Sequence, residues 1–281
     1  MHNAALAALK IDCRYVAFEV EPRALRAAIE GAKAMRFAGL NLTVPHKLLA
    51  MDMVDELDDS AKMWGAINTI SFEVLPQGGE WTPALTTPLQ KEAKVRSRGF
   101  NTDAEAVSKS LRDDLGLTLA GSTVVVLGAG GAGRVAVLKL AAEGVLNLFL
   151  VNRTVAKAKD LIREVHERFP QVKVQTGYPP PALPIDLLLN ATSLGLKKED
   201  ALPFDTGQFS IERAQTVFDM IYRPAETPLL RVAKQAGCRV TNGLGMLLYQ
   251  GAAAFEIWTG RVAPLPIMKA ALREAVYGTQ T

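Results

Sequence analysis

The sequence contains few residues of the kinds that bind metals or form cross-links. Its two cysteines, Cys13 and Cys238, lie far apart, and neither has a CxxC partner or a nearby histidine. The three histidines are also scattered along the chain. Since zinc sites and disulfide frameworks need closely patterned ligands or several cysteine pairs, we expect no bound metal and two small buried thiols.

Long hydrophobic runs and an excess of one charge are absent as well. No stretch approaches the roughly 18 apolar residues of a membrane span, and Asp12, Arg14 and Glu19 rule out a secretory hydrophobic region near the N-terminus. With 32 Lys and Arg against 29 Asp and Glu, the formal charge is only +3. This charge is too small and too dispersed for binding to a nucleic-acid backbone. We expect a cytoplasmic protein whose partner is a small molecule, neither a nucleic acid nor a membrane.

What the sequence does contain is a globular composition with alternating strand and helix patterns. Its 281 residues are 49% apolar and 22% charged, which favours a folded protein of two modest domains. Helical patterns separate most of the predicted strands, and this alternation is typical of an α/β fold with parallel sheets and right-handed crossovers. The predicted strands are residues 15–20, 40–44, 123–127, 146–151, 172–174, 185–190 and 217–221.

The clearest pattern is a glycine-rich turn between a β-branched strand and a helix. The turn reads GAGGAG and satisfies GxGxxG at Gly128, Gly130 and Gly133. In such a turn the first glycine permits a tight bend, the second lets the backbone approach a pyrophosphate, and the third lets helix and strand pack closely. Because strand and helix flank the motif as required, we predict a dinucleotide-binding domain.

The end of the next strand indicates which dinucleotide is bound. An NAD enzyme usually places Asp or Glu there, whereas this chain has Asn152, Arg153 and Thr154, with Lys157 one turn later. A carboxylate would repel a 2′-phosphate, and an arginine can pair with it. The cofactor is therefore predicted to be NADP.

Three polar stretches mark the predicted substrate side. They are residues 41–47, 65–69 and 99–103, each at the end of a strand pattern in the N-terminal part. A nicotinamide enzyme that oxidises an alcohol needs a group that takes the hydroxyl proton. Lys47 and Asp103 are the candidate pair for that task, although a helix cap or a surface ion pair is the more frequent role for either residue alone.

Taken together, these motifs resemble the shikimate dehydrogenase family over nearly the whole chain. The motifs occur in the family's order and spacing, and they are NLTVPHK, GAINT, FNTDAEA, GAGGAGR, NRT, NATSLGL, DMIYRPAETPLL and NGLGMLLYQGAAAFEIWTG. The resemblance implies NADP-dependent reduction of 3-dehydroshikimate to shikimate, in the pathway to chorismate and the aromatic amino acids. It also implies an enzyme that is a monomer or homodimer.

The resemblance further implies a domain division and a set of site residues. An N-terminal α/β substrate domain with a mostly parallel sheet (residues 1–104) would precede a Rossmann-like NADP domain (105–241), and C-terminal helices (242–281) would return to the first domain. Lys47 and Asp103 would be catalytic. The residues implied to bind substrate are Thr43, Asn68, Tyr222 and Gln250. Those implied at the cofactor are Gly128, Ala129, Gly130, Gly131, Ala132, Asn152, Arg153, Thr154, Lys157, Met220, Gly243 and Asp59.

The chain departs from the family pattern in two places. Family members open with a strand and a serine-rich turn, which binds the shikimate carboxylate, immediately before the segment matched by residues 1–5. We expect that Met1 is an internal methionine with a start upstream; otherwise the sheet would have a gap and KM would rise greatly, or no soluble enzyme would form. Residues 73–98 also exceed the family's short hairpin and are predicted to form a long exposed loop.

Two alternative functions stay open at this point. One is a quinate or quinate/shikimate dehydrogenase, which would be expected to prefer NAD; Arg153 and Thr154 argue against it. The other is a protein that binds the cofactor but is inactive, which the missing serine turn suggests.

Overall fold

The computed structural model describes residues 1–87 and 93–278. The chain forms two compact units. Unit 1 consists of Met1–Asp103 and Leu248–Glu274, and unit 2 consists of Ala104–Leu247 and the residues from Ala275 onward.

Unit 1 combines a small sheet with short helices. Its elements up to residue 100 are α1 (His2–Ala8), α2 (Leu25–Ala34), β1 (Gly39–Asn41), α3 (His46–Leu49), β2 (Glu56–Leu57), α4 (Asp59–Trp64), β3 (Thr69–Leu75), β4 (Thr82–Pro83) and β5 (Lys94–Phe100). The sheet order is β1-β3-β5-β2, and β4 also pairs with β3. Buried side chains of α2 and β3, including Ile29, Ile70 and Phe72, form its apolar core.

The prediction of a mostly parallel sheet is wrong for unit 1. β3 pairs antiparallel with β1, β4 and β5, while β2 and β5 are parallel. The connections from β3 to β4 and β5 contain no crossover helix within the described residues, so the chain reverses there and neighbouring strands run in opposite directions.

The prediction of a long exposed loop at residues 73–98 is wrong at both ends, which belong to β3 and β5, and at β4; residues 76–81 and 84–87 are turns or irregular backbone, and residues 88–92 lie outside the described part. β3 and β5 form a continuous ladder from Thr69↔Phe100 to Leu75↔Lys94. Charged residues face one another across it, with Arg96 Nη2 2.7 Å from Glu73 Oε2. Arg96 also lies over the ring of Trp81, 4.4 Å from its centroid. Because these charges pair with each other, the strands lack the hydrophobic alternation that would have revealed them.

The strand predicted at residues 15–20 does not form. These residues have irregular backbone, and Val16 and Phe18 are 58% and 64% exposed. Asn3 holds the start of the segment instead: its side chain accepts from Tyr15 N at 2.7 Å and donates to Tyr15 O at 2.8 Å. β-Branched and aromatic residues favour a strand only where a neighbouring strand is available for pairing.

Unit 2 is a doubly wound α/β domain. Its elements are α5 (Asp103–Asp113, whose first residue belongs to unit 1), β6 (Thr123–Leu127), α6 (Gly131–Ala142), β7 (Asn147–Val151), α7 (Val155–Arg168), β8 (Lys173–Thr176), β9 (Ile185–Asn190), β10 (Ala214–Asp219), α8 (Pro228–Gln235) and β11 (Arg239–Asn242). All pairings among the described strands of unit 2 are parallel, and the strand order is β11-β10-β9-β6-β7-β8. This order is that of the Rossmann fold, and it places the switch point between β6 and β9.

Local sequence patterns account for these elements. β6 is buried along its whole length, as the β-branched run TVVVL predicts for a strand covered on both faces. In α7 the buried residues Ala158, Leu161 and Val165 recur at helical spacing and form the inner face. The predicted two-domain α/β class is confirmed.

The last two helices are α9 (Leu244–Thr259) and α10 (Leu265–Tyr277). Most of both belongs to unit 1. The Trp258 indole on α9 donates to the carbonyl of Ile70 on β3 at 2.9 Å, which attaches the helix to the first sheet. Within the described chain, no helix is long and apolar enough to cross a membrane.

Candidate active site

A lysine and an aspartate meet at one edge of the sheet in unit 1. Lys47 lies in α3, which follows the end of β1, and Asp103 begins α5, which follows the end of β5. β1 and β5 run in the same direction because each is antiparallel to β3, so their ends reach the same edge. Lys47 Nζ donates to Asp103 Oδ2 at 2.6 Å, and the two side chains are 31% and 11% exposed. The pair is therefore partly sheltered but reachable.

Asn68 completes this polar cluster from the start of β3, which runs antiparallel to β1 and β5. It immediately precedes β3, whose beginning lies at the edge where β1 and β5 end. Its Nδ2 atom donates to Asp103 Oδ1 at 3.0 Å and to Thr102 Oγ1 at 2.9 Å. Its Oδ1 atom accepts from Thr102 N at 2.8 Å, and Gln250 Oε1 lies 3.4 Å from Nδ2. Both oxygens of Asp103 thus receive a donor, and the carboxylate is fixed beside Lys47.

The structure brings together four of the six residues predicted for catalysis and substrate binding: Lys47, Asp103, Asn68 and Gln250. Thr43 lies in an exposed turn after β1, where its carbonyl accepts from His46 N at 2.8 Å and starts the turn into α3. Tyr222 belongs to unit 2 and is 39% exposed; its carbonyl accepts from the Tyr277 hydroxyl at 2.9 Å.

Asn41 and Thr102 also belong to this cluster, although neither was predicted as a site residue. Asn41 ends β1 and donates to Thr69 Oγ1 at 3.0 Å, while its Oδ1 accepts from the Tyr15 hydroxyl at 3.0 Å. Thr102 is buried against Asn68. Their positions could have indicated such a role, because both residues lie in the polar stretches at the ends of strands.

The glycine-rich turn in unit 2 has the geometry of a dinucleotide site. Gly128 has φ +102°, a conformation that L side chains rarely adopt. A Cβ atom on Gly133 would lie 2.1 Å from the Gly128 carbonyl oxygen, whereas one on Gly130 or Gly131 would meet nothing within 4 Å. The turn thus has no space for a side chain where α6 packs on the strand, but it has free space at its middle. No side chain in the described part caps the start of α6. Ala129 and Ala132 complete this turn, and the open space and free helix N-terminus fit a pyrophosphate.

The segment after β7 presents donors without acidic neighbours in its sequence. Asn152 connects two loops, since its Oδ1 accepts from Ala129 N at 3.0 Å and its Nδ2 donates to the Thr154 carbonyl at 2.8 Å. Arg153, Thr154 and Lys157 are exposed, and among the described residues neither cation forms an ion pair. These residues fit a phosphate on the adenosine ribose.

Three further predicted cofactor residues are placed as follows. Met220 follows β10, and its N–H donates to the Asn190 carbonyl at 3.0 Å. A Cβ atom on Gly243 would fall 2.0 Å from the Met220 carbonyl oxygen, so only glycine fits there. Asp59 lies in unit 1, exposed at the start of α4, with Oδ1 3.4 Å from Lys62 Nζ.

The chain matches three family models. Residues 1–70 match the shikimate dehydrogenase substrate binding domain, residues 110–192 match shikimate / quinate 5-dehydrogenase, and residues 243–273 match the shikimate 5'-dehydrogenase C-terminal domain.

Individual proteins resemble it over almost their full length. The shikimate dehydrogenase (NADP(+)) of Methanocella arvoryzae is 40% identical over 279 residues, covering 98% of this chain and 93% of that protein. The Thermus thermophilus shikimate 5-dehydrogenase structure in complex with NADP(H) and shikimate superposes with a TM-score of 0.78 at 32% identity, covering 98% of this chain and 92% of that one. The ligand-free 5-ketofructose reductase of a Gluconobacter strain gives a TM-score of 0.79 at 30% identity, with the same coverage of 98% and 92%.

Proposed function

The chain belongs to the shikimate dehydrogenase family, and from this membership we propose that it catalyses the reversible, NADP-dependent reduction of 3-dehydroshikimate to shikimate. The enzyme is then an oxidoreductase acting on a CH–OH group, in the pathway to chorismate and the aromatic amino acids. Relatives named as NADP-dependent enzymes and a neighbouring structure that holds both NADP(H) and shikimate support this assignment.

The observation that carries the proposal is the Lys47–Asp103 pair, with 2.6 Å between Nζ and Oδ2. Reduction of a ketone requires a proton at the developing alkoxide oxygen. The Lys47 ammonium has three N–H donors and uses one of them on Asp103, so another is available for that oxygen. In the reverse direction the neutral Lys47 amine accepts the hydroxyl proton, while Asp103 keeps the amine oriented.

The neighbouring polar groups are proposed to orient the substrate ring. Asn68 bonds to Asp103, and Gln250 lies beside Asn68. Both are proposed to pair with hydroxyl groups next to the reacting carbon. Thr43 and Tyr222 are proposed as further hydrogen-bonding groups for the substrate. The cluster consists of uncharged donors and acceptors around one ion pair, a combination suited to a polyhydroxylated ring.

Unit 2 is proposed to hold the cofactor, which supplies the hydride when bound. The turn from Gly128 to Ala132 and the free N-terminus of α6 receive the pyrophosphate, and Gly130 leaves room for it. Arg153, Thr154 and Lys157 bind the 2′-phosphate, with Asn152 keeping their loop against the turn. Met220 and Gly243 are proposed for the nicotinamide end, and Asp59 as a further cofactor-binding residue.

The remaining expectations follow from this role. A biosynthetic enzyme of this kind acts on small molecules in the cytoplasm, and we propose that it works as a monomer or homodimer.

A substrate and cofactor panel tests the proposal. Initial rates would be measured with shikimate or quinate as the alcohol, with NADP⁺ or NAD⁺, and with 5-ketofructose and NADPH in the opposite direction. We expect the highest kcat/KM for shikimate with NADP⁺. Preference for quinate with NAD⁺ would favour the quinate/shikimate alternative, and NADPH binding without turnover of any substrate would favour the inactive one.

A further inference from the structure

The carboxyl ends of β9 and β10 carry a pair of fully buried polar side chains. Asn190 and Asp219 are the last residues of these strands, lie opposite each other in the ladder, and have no exposed surface. Asn190 is also opposite Leu127, the residue before the glycine-rich turn. The pair therefore lies at the switch point of the sheet in unit 2, beside the proposed pyrophosphate site.

The Asp219 carboxylate receives three donors from three different segments. Its Oδ1 accepts from Asn190 Nδ2 at 3.0 Å and from Ile221 N at 3.1 Å, and its Oδ2 accepts from the Thr227 hydroxyl at 2.6 Å. Thr227 also caps α8, accepting from Leu230 N at 3.3 Å. Burial raises the pKa of the Asp219 carboxyl, and the three hydrogen bonds oppose that rise. One carboxyl group thus connects β9, the segment after β10 and the start of α8.

Asn190 extends the same connection to the loop that follows β9. Its Nδ2 donates to the Leu194 carbonyl at 3.1 Å. Its Oδ1 accepts from Thr192 N at 3.0 Å and from the Thr192 hydroxyl at 2.7 Å. The Asn190 carbonyl accepts from Met220 N at 3.0 Å. The loop after β9 and the loop after β10 are consequently fixed by two adjacent side chains.

Both loops pack against the cofactor turn and its surroundings with little free space. A Cβ atom on Gly128 would lie 3.0 Å from the Ala191 carbonyl oxygen, and one on Gly243 would lie 2.0 Å from the Met220 carbonyl oxygen. Between the loops, a Cβ atom on Gly195 would lie 3.3 Å from Ile221 and Thr227 side-chain atoms. A shift of either loop would therefore reach the residues assigned to the cofactor.

We propose that Asp219 is a positioning residue, which holds the loops of residues 191–195 and 220–222 in the arrangement that binds NADPH. The inference rests on the proposed function, because it assumes that unit 2 binds NADPH. Asp219 itself is buried and acts through Asn190, Ile221 and Thr227.

The test compares Asp219→Ala with Asp219→Asn and with a destabilised control. Alanine removes all three contacts, whereas asparagine keeps the shape, can still accept from Asn190 and Ile221, and can donate to the Thr227 oxygen. Val165→Ala, in the buried face of α7, lowers stability without touching the loops. We expect NADPH binding, measured by fluorescence titration, to weaken about 10-fold or more in Asp219→Ala, to recover largely in Asp219→Asn, and to stay unchanged in Val165→Ala.

Thr227→Val keeps the inference testable if Asp219→Ala does not fold. It removes one donor to Asp219, and Thr216→Val on β10, which removes a buried hydroxyl bonded to the Asp186 carbonyl, is its matched control. We expect a several-fold loss of NADPH affinity for Thr227→Val only.

Hydrogen exchange without cofactor separates this inference from the proposed function. Faster exchange of the Thr192, Leu194 and Ile221 amides in Asp219→Ala than in Val165→Ala would support the positioning role. If the wild-type chain does not bind NADPH, the proposed function fails and this inference fails with it. If the wild type binds NADPH and Asp219→Ala binds it equally well, only the positioning role is overturned.

Discussion

Arg153 is the residue that we propose distinguishes NADPH from NADH most directly. It lies exposed after β7, next to Thr154 and one turn before Lys157, without an ion-pair partner in the described residues. In the proposed cofactor site, this guanidinium gains a partner only when a 2′-phosphate is present. Its contribution to binding should therefore depend on which cofactor is offered.

Arg153→Ala is expected to weaken NADPH binding about 10-fold or more and to leave NADH binding nearly unchanged, because only NADPH carries the 2′-phosphate. Titrations of both cofactors measure this. Arg163→Ala, on the exposed side of α7 and paired with Asp160 at 2.7 Å, is the control. Equal losses for NADPH and NADH would mean that Arg153 does not contact the 2′-phosphate.

His2 is the buried ionisable group that should make stability depend on pH. It is 5% exposed, its ring stacks on Tyr15 with centroids 4.4 Å apart, and its Nδ1 has no hydrogen-bond partner among the described residues. Burial lowers the pKa of His2 from 6.5 to about 4. Between these values the unfolded chain binds a proton that the folded chain does not, so stability falls as the pH falls.

His2→Phe is expected to reduce this pH dependence, because phenylalanine keeps an aromatic ring and cannot titrate. The wild type should lose up to about 3 kcal/mol more than the variant when the pH is lowered from about 6.5 to about 4. Urea unfolding at several pH values gives both curves. His166→Gln, an exposed histidine on α7, should follow the wild type; parallel curves for wild type and His2→Phe would refute the assignment.

Among the elements, the glycine-rich turn contains one glycine that we expect to be needed for folding and another that we expect to be needed for binding. Gly133 permits α6 to approach the turn, since a Cβ atom would lie 2.1 Å from the Gly128 carbonyl oxygen. Gly130 has an extended backbone that any residue adopts, with open space at its Cβ position. Gly133 therefore serves packing, and Gly130 is proposed to leave room for the ligand.

Two alanine substitutions test this separation. Gly133→Ala is expected to lower the melting temperature clearly, because the clash is with backbone and must shift the helix. Gly130→Ala should melt like the wild type but bind NADPH more weakly, because its methyl group occupies the pyrophosphate space. Calorimetry and cofactor titration measure the two effects. Unchanged NADPH affinity in a stable Gly130→Ala protein would contradict the proposed pyrophosphate position.

The elements predicted correctly from sequence were those whose signals are local. β6, the turn and α6 form one continuous pattern of β-branched residues, glycines and helix-forming residues. The strand predicted at residues 15–20 failed because side-chain preference does not supply a neighbouring strand. The β3–β5 ladder was missed because its inward charges, such as Glu73 and Arg96, find partners only in the folded sheet.

The residues of the candidate site also differ in whether a local sequence pattern reveals their role. Lys47, Asp103 and Asn68 lie in motifs, so sequence could propose them, and the structure places them in one cluster. Asn190, Asp219 and Thr227 also lie in motifs, but no role was predicted for them, because Asn190 and Asp219 meet only once the parallel sheet has brought β9 and β10 together.

In the whole molecule, the two units have different proposed tasks. Unit 1 contains the lysine and carboxylate proposed for proton transfer, and unit 2 contains the glycine turn and cations proposed for NADPH. Loss of the lysine should therefore abolish chemistry while leaving cofactor binding intact.

The most direct test of this central claim is to measure kcat and the NADPH dissociation constant of Lys47→Ala. Lys62→Ala, an exposed lysine on α4 of the same unit, serves as the control. We expect kcat with 3-dehydroshikimate to fall roughly 100- to 10,000-fold, as for loss of a general acid, with NADPH affinity unchanged. A near-normal kcat, or equal losses of turnover and NADPH affinity, would contradict this division of tasks.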